Sequence, residues 1–176
     1  MFAPFTATEA FHDLALIDLD HGHVMYTTRR QSDLGANLRS GQLRTSSLAA
    51  AWNQARAASS LTVTDMANYE PSGEASMFLS MPVLDAQGVT RAVLAAQVGA
   101  DELHQLMSSA VKLGETGEVY LVGQDHKLRS QLRHGDEHSA DTTIESEAVE
   151  LGFAHEEGVS RAADHQGVPV LAAYSH

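Results

Sequence analysis

The sequence predicts an α+β fold made of two successive modules, each an antiparallel sheet with helices packed on it. Three observations lead to this class. Apolar runs come in pairs on either side of short turns, which is typical of β-hairpins. Segments with apolar residues at helical spacing lie between these hairpins. The order hairpin, loop, helix, hairpin then occurs a second time, and this plan gives a sheet covered by a helix on one face.

The composition is that of a globular, acidic chain. Of the 176 residues, 43% are hydrophobic and 19% are charged, and the formal net charge is −12. Such a surface repels phosphate backbones and anionic lipids, so neither nucleic acid nor an anionic membrane surface is an expected partner. The sequence has no cysteine, which excludes disulfides, thiolate metal sites and a cysteine nucleophile.

The first module is predicted to open with a hairpin and a helix. Residues 14–19 and 24–27 flank the turn Asp20-His21-Gly22, and a polar loop follows. Ser46 or Ser47 is expected to cap the next helix. The apolar face of this helix comprises Leu48, Ala51, Trp52 and Ala55. We expect it to pack on the sheet through Trp52.

A second hairpin and a linking helix complete the first module. Residues 75–84 and 91–98 flank the turn Asp85-Ala86-Gln87-Gly88. Asp101 is expected to cap the linking helix, which Gly114 ends. We therefore place the first module at residues 1–112.

The second half repeats this order. Residues 119–123 and 128–130 form its first hairpin, and Thr142 has capping-box spacing to Glu145 at the start of a helix. Residues 159–163 and 168–174 form the last hairpin. Its turn, Asp164-His165-Gln166-Gly167-Val168, matches Asp85-Ala86-Gln87-Gly88-Val89; the alternative is chance, since Asp and Gly are common in turns. The second module is placed at residues 113–176.

Several stretches resemble the double-Cache, PAS-like sensor regions of bacterial methyl-accepting chemotaxis proteins, sensor histidine kinases and nucleotide cyclases. Leu113 to Gly123, with Asp125 and Arg129-Ser130, is similar to their membrane-proximal module, and Asp164 to Tyr174 is similar to a later strand pair of that module. The matching pieces of the first half are Leu16-Ile17-Asp18, Val24-Met25-Tyr26, Asp33-Leu34-Gly35, Tyr69, Pro71-Ser72 and Gln97. The resemblance covers nearly the whole chain. It implies a further strand beyond His176, so the second sheet is expected to be incomplete.

The resemblance also implies a small ligand in the first module, between its sheet and the loop after its helix. The residues expected to converge there are Tyr26, Asp65, Tyr69 and Met77. A mostly apolar cup with a few polar groups suits a small molecule, and the carboxylate of Asp65 would bind an amine. The alternative is that Asp65 only caps a turn and Tyr69 belongs to the core.

In the second module, five polar residues lie on or beside strands and are further candidates for ligand binding. They are Tyr120, Arg129, Arg133, Asp164 and Tyr174. The two arginines would form a fork for a ligand carboxylate. The alternative is that they pair with a local acid such as Asp164, because long charged side chains are rarely buried without a partner.

Ten histidines raise the question of a metal. His21 and His23 lie two residues apart, and His134 and His138 lie four apart. Neither pair has a clear third and fourth ligand in the sequence, which a zinc site requires. The sequence therefore predicts neither a metal centre nor a cofactor.

The function that the resemblance implies is ligand sensing in the periplasmic, extracytoplasmic part of an inner-membrane receptor. An amino acid, organic acid or amine would bind and shift a two-state equilibrium. The sequence has no apolar run long enough to span a bilayer and no signal peptide, so membrane contact is expected only through flanking helices of a longer receptor.

Two other functions are alternatives. The first is a PAS-like module that forms a homodimer or docks a protein and takes no small ligand. The second is an enzyme, such as an esterase or another hydrolase. The sequence contains no nucleophile elbow, phosphate loop or paired-histidine zinc helix, so we expect no enzyme.

Overall fold

A computed structural model describes residues 11–58, 60–110, 113–134 and 142–176. The chain divides into two compact units, Met1–Leu106 and Met107–His176. The predicted α+β class, with antiparallel sheets and packed helices, is confirmed. The division lies within the helix that was expected to link the modules, whereas the sequence places the boundary after residue 112.

The first unit is built on one antiparallel sheet of six strands. They are β1 (Asp13–Asp18), β2 (Val24–Thr27), β3 (Thr62–Val63), β4 (Ala67–Tyr69), β5 (Glu74–Leu84) and β6 (Thr90–Gly99). The strand order is β2-β1-β6-β5-β3, and β4 also pairs with β5. Two helices belong to this part of the chain, α1 (Ser47–Ala57) and α2 (Ala100–Ala110), and a short 3-10 helix (Gln42–Thr45) precedes α1.

Strand register determines which side chains lie beneath α1. Ala15 of β1 is opposite Ala95 of β6, and Ala95 is opposite Ser80 of β5, so these three side chains share one face of the sheet. The Ser80 hydroxyl donates a hydrogen bond to the Ala51 carbonyl of α1 at 3.0 Å. The face that carries Ala15, Ala95 and Ser80 is therefore the face that α1 covers.

Trp52 anchors α1 on this face, as the sequence predicts. Its side chain is 1% exposed, and its indole N–H donates to the Asp18 carbonyl at the end of β1 at 2.9 Å. The Arg56 guanidinium lies 4.4 Å from the ring centroid. Ser46 caps α1 by accepting the Ala49 N–H at 3.2 Å, so the first of the two predicted caps is the one used.

The helix α2 begins differently from the prediction. Its first residue is Ala100, so Asp101 lies inside the first turn and not at the cap. The carboxylate of Glu102 accepts the Gly99 N–H at 3.1 Å. Glutamate at this position reaches back to the residue before the helix, as in a capping box, and this makes an aspartate cap unnecessary.

The second unit contains α3 (Glu147–Phe153) and a hairpin of β7 (Gly158–Ala163) and β8 (Pro169–Tyr174). The hairpin expected over residues 119–130 is reduced to a single bridge between Val122 and Leu128. The helix starts after Ser146, whose side chain accepts the Val149 N–H, and not at Thr142. Ile144 is fully buried, and its N–H donates to the His126 carbonyl at 2.7 Å, which holds this segment extended ahead of the helix.

The two matching turns are alike in their hydrogen bonds. The Asp85 carboxylate accepts the N–H groups of Gln87 and Val89, both at 2.9 Å. The Asp164 carboxylate accepts those of Gln166 and Val168, both at 2.8 Å. The glycines Gly88 and Gly167 have φ angles of +80° and +79°. The repeat seen in the sequence is therefore also a repeat of local structure.

The contact between Gly22 and Trp52 yields a stability prediction. Gly22 has a φ of +72°, and a Cβ there would lie 2.9 Å from the Trp52 ring. Gly22→Ala should therefore combine left-handed backbone strain with overpacking and lower the free energy of unfolding by about 2–4 kcal/mol. Fluorescence of Trp52, the single tryptophan of the chain, during urea unfolding measures this loss.

Gly88→Ala is the matched control. Its φ is also positive, but a Cβ there meets nothing within 4 Å, so only the strain of about 1–2 kcal/mol is expected. Equal losses in the two variants would show that the Trp52 contact does not limit the size of residue 22.

Candidate ligand-binding site

The buried face of the first unit's sheet becomes polar at one end. Asp13 of β1 lies opposite Gln97 of β6, on the same face as Ala15 and Ala95. Asp13 and Gln97 are 3% and 1% exposed, and Ser76 of β5 is fully buried beside them. Buried polar groups at these positions need partners, and those partners define the site.

One oxygen of Asp13 organises the chain around it. Oδ1 accepts the backbone N–H groups of Leu14, Thr28 and Arg29 at 2.7, 2.9 and 3.0 Å. The Thr28 hydroxyl also donates to Oδ1 through a short contact. The second oxygen, Oδ2, is buried and has no hydrogen-bond partner. Oδ1 thus fixes the segment that leaves β2, whereas Oδ2 has no hydrogen bond.

Asp33 supplies a second buried carboxylate from the loop after β2. It is 2% exposed, and its Oδ2 accepts the Tyr69 hydroxyl at 2.9 Å. Its Oδ1 is buried without a hydrogen-bond partner. Tyr69 is fully buried, and its ring meets Phe78 edge to face at a centroid distance of 5.0 Å. Tyr69 therefore fixes one oxygen of Asp33.

Gln97 joins the turn after β4 to the sheet. Its side-chain amide donates to the hydroxyls of Ser72 and Ser76 at 2.9 and 2.8 Å. Ser72 follows Tyr69 closely in the chain, so this amide holds the Tyr69 region against β5 and β6. We call Asp13, Asp33, Tyr69 and Gln97 the acidic cluster.

Electrostatics within the acidic cluster disfavour two negative charges. Burial raises the pKa of Asp33, the charge of Asp13 raises it further, and the hydrogen bond from Tyr69 offsets part of this. Burial and the neighbouring Asp33 also raise the pKa of the Tyr69 hydroxyl, which stays protonated. The cluster therefore favours a proton or another positive charge beside Asp33.

The four residues predicted for this module do not converge. Tyr69 belongs to the acidic cluster, but Tyr26 and Met77 lie on the other face of the sheet, because Tyr26 is opposite Leu16 and Met77 alternates with Ser76 and Phe78. Asp65 is exposed and accepts the Met66 N–H at 2.7 Å, a local bond of the kind its turn-capping alternative describes.

Three members of the acidic cluster were not among the predicted site residues, although a signal for two of them exists in the sequence. Asp13, Ala15 and Ile17 alternate along β1, as do Val93, Ala95 and Gln97 along β6. Period-two spacing extends each buried apolar row to a polar residue at the strand end. Asp33 has no such signal, since it lies in a loop whose path depends on tertiary contacts.

The two arginines of the second unit do not form the expected fork. Arg129 pairs with Asp125 at 2.8 Å and donates to the Lys127 carbonyl at 3.1 Å. Arg133 donates to the carbonyls of Gly114 and Gly117 at 2.8 and 3.0 Å. Arg129 therefore has the local pairing with an acid that the alternative describes, and this acid is Asp125.

A carboxylate of the second unit has contacts like those of Asp13. Oε2 of Glu118 accepts the backbone N–H groups of Arg133 and His134 at 3.2 and 3.4 Å. Each of these three residues lies 105 positions after its counterpart among Asp13, Thr28 and Arg29. In both units, a carboxylate thus accepts the N–H groups of two consecutive residues that follow 15 and 16 positions later.

The remaining predicted residues of the second unit have the following surroundings. Tyr120 is half-buried, and its pKa is raised by burial and by the charges of Glu118 and Asp164. Its ring lies 6.1 Å from that of His165. Asp164 holds the β7–β8 turn, and Tyr174 is half-buried opposite Gly158.

Comparison with known proteins gives structural matches only. No family model matches the chain, and no curated protein matches it. The extracellular domain of rpHK1S-Z16, which is assigned as a histidine kinase, superposes with a TM-score of 0.62 at 16% identity, over 97% of this chain and 67% of that one.

Two chemoreceptor domains give similar matches. The ligand-binding domain of the Pseudomonas aeruginosa amino acid chemoreceptor PctC, in complex with GABA, has a TM-score of 0.55 at 20% identity, over 93% of this chain and 66% of that one. That of Pseudomonas fluorescens CtaA with L-serine has a TM-score of 0.53 at 16% identity, over 90% and 63%. The chain thus spans less than two thirds of the CtaA domain. The predicted PAS-like, Cache-type fold is confirmed.

No helix among the described residues has the length and apolar character needed to cross a membrane.

The acidic cluster yields a prediction on pH dependence. The pKa of Asp33 is higher in the folded state than in the unfolded state. Asp33 therefore makes its full contribution to the free energy of unfolding below its unfolded-state pKa of about 4, and this contribution is lost as pH rises through the folded-state pKa. Asp33→Asn removes the charge at every pH and retains an oxygen for Tyr69. The variant should therefore be more stable than the wild type at pH 7, and the difference should shrink toward pH 4.

Urea unfolding between pH 4 and 7 measures this, with Asp85→Asn as a control of opposite sign. The N–H of Val89 and the Arg91 side chain lower the pKa of Asp85, so its contribution is present at pH 7 and is lost on acidification. A loss of stability in Asp33→Asn that is the same at every pH would contradict the proposed charge repulsion.

Proposed function

We propose that this chain is the ligand-sensing domain of a bacterial transmembrane receptor, positioned outside the cytoplasm, and that its acidic cluster binds the amine of a small molecule. One observation carries the proposal. Asp13 and Asp33 each bury an oxygen that has no hydrogen-bond partner, within a fold shared with ligand-binding domains of chemoreceptors.

The charge of the cluster defines the kind of ligand. Among the described residues, no lysine or arginine side chain forms an ion pair with Asp13 or Asp33. Buried carboxylates are costly unless they are paired. An ammonium group has three N–H donors and no acceptor, so it supplies the donors that Oδ2 of Asp13 and Oδ1 of Asp33 lack. A carboxylic acid without an amine would add a third negative charge.

The ligands of two structural neighbours contain an amine group. GABA and L-serine, bound by PctC and CtaA, both carry an amine. We therefore propose an amino acid or another small amine as the ligand of this chain, in preference to an organic acid.

The burial of the cluster suggests how binding would produce a signal. Its side chains are enclosed by the sheet, by the loop after β2 and by the turn after β4, so a ligand enters only when one of these segments moves. The closed arrangement without a cation retains repulsion between two carboxylates, and a bound ammonium removes it. The ligand would then favour the closed state, and this differential affinity is what shifts a two-state equilibrium.

We expect amines to raise the unfolding temperature of the protein. A panel of amino acids, simple amines and organic acids, tested by thermal shift and then by calorimetry, should yield hits only among compounds with an ammonium group. Asp33→Asn should weaken binding of such a hit by about 10–100-fold, since a hydrogen bond to a charged group is worth about 1.5–3 kcal/mol.

Tyr120→Phe is the control for the second unit and should leave the affinity unchanged. A hit that is lost in Tyr120→Phe and kept in Asp33→Asn would transfer the site to the second unit. Hits confined to organic acids would contradict the amine proposal. A dimer in light scattering that forms without any ligand, together with no hit in the panel, would favour the docking module.

A further inference from the structure

We propose that the first unit binds a divalent metal ion such as zinc at His12, Glu74 and Glu102. These side chains come from three separate elements: the residue before β1, the first residue of β5 and the first turn of α2. The three ligand atoms lie within 4.8 Å of one another. This site shares no side chain with the acidic cluster, and the inference does not rest on the proposed amine ligand.

The separations of the ligand atoms are compatible with a shared metal ion. His12 Nδ1 is 2.9 Å from Glu74 Oε1 and 3.5 Å from Glu102 Oε1. Ligands at about 2.1 Å from a tetrahedral zinc lie roughly 3.4 Å apart, and the two observed separations bracket this value. Glu74 Oε1 is buried, and His12 Nδ1 lies beside it at 2.9 Å.

The charges also favour a divalent ion. Among the described residues, neither Glu74 nor Glu102 forms an ion pair with a lysine or arginine, and His12 lies beside both carboxylates. A proton on His12 offsets one of the two negative charges, whereas a divalent cation offsets both. Imidazole nitrogen and carboxylate oxygen are both established zinc ligands, and in a site with three protein ligands a water molecule would take the fourth position.

The surrounding backbone holds the site in place. The His12 N–H donates to the Gln97 carbonyl of β6 at 2.8 Å. Oε2 of Glu102 accepts the Gly99 N–H, which leaves its Oε1 toward His12. A Cβ at Gly99 would lie 2.5 Å from Glu102 Oε2 and 3.2 Å from Glu74 Oε1, so glycine is needed for both carboxylates to approach. The metal would cross-link three elements that are distant in sequence.

Two measurements on the metal-free protein test the proposal. Calorimetry measures zinc binding during a titration, and the fluorescence of Trp52 measures thermal unfolding at increasing zinc concentrations. The wild type should bind one zinc ion at this site and unfold at a higher temperature as zinc rises. Glu102→Gln keeps an oxygen for the Gly99 N–H and loses the charge. It should fold as well as the wild type without metal and bind zinc at least tenfold more weakly.

Two controls exclude other histidine pairs. His23 lies near His21, with ring centroids 6.5 Å apart, and His155 lies near His176 at 4.0 Å. His23→Gln and His155→Gln should each retain the wild-type zinc affinity. The proposal is overturned if zinc does not bind, if Glu102→Gln binds it as tightly as the wild type, or if either control abolishes binding.

The failure of this inference can be told apart from failure of the amine site. Asp33→Asn should leave the zinc affinity unchanged, and Glu102→Gln should leave the amine affinity unchanged. Zinc binding that is lost in Asp33→Asn would instead place the ion in the acidic cluster and would overturn the assignment to His12, Glu74 and Glu102.

Discussion

The first unit depends on a carboxylate buried at the start of a strand. Asp13 lies in the row of side chains that faces the covered side of the sheet, and one of its oxygens accepts three backbone N–H groups. These bonds fix the chain as it leaves β2 and so set the path of the loop that carries Asp33. Since the second oxygen is left without a partner, the interaction that orders the loop also creates the chemical feature on which the proposed ligand site rests.

Side chains on one sheet face divide into two zones. Toward one end, Trp52 and the alanines of α1 cover apolar positions of β1 and β6, where burial itself is the stabilising term. Toward the other end, the acidic cluster takes the place of apolar packing. Tyr69 there donates to one oxygen of Asp33, and the amide of Gln97 donates to Ser72 and Ser76. Burial of the apolar zone offsets the free-energy cost of burying the polar zone.

Local rules predicted much of the fold. Residue spacing and the preferences of serine, aspartate and glycine predicted the β1–β2 and β7–β8 hairpins, the capped helix with Trp52 and the repeated turn. The prediction was wrong where tertiary contacts override local preference. Thr142 has capping-box spacing, but burial of Ile144 keeps that segment extended. The predicted site was incomplete for a similar reason, because Asp33 reaches Tyr69 only through the path of a loop, and no periodic pattern records that path.

The backbone contacts made by Asp13 and its counterpart Glu118 bear on the history of the chain. Carboxylates at equivalent positions accept equivalent backbone N–H groups in the two units, which is what duplication of one ancestral half would leave behind. The role that the two units share is architectural, since each acid holds a later segment of its own unit in place. In the first unit the acid is also 3% exposed, and its second oxygen has no hydrogen-bond partner.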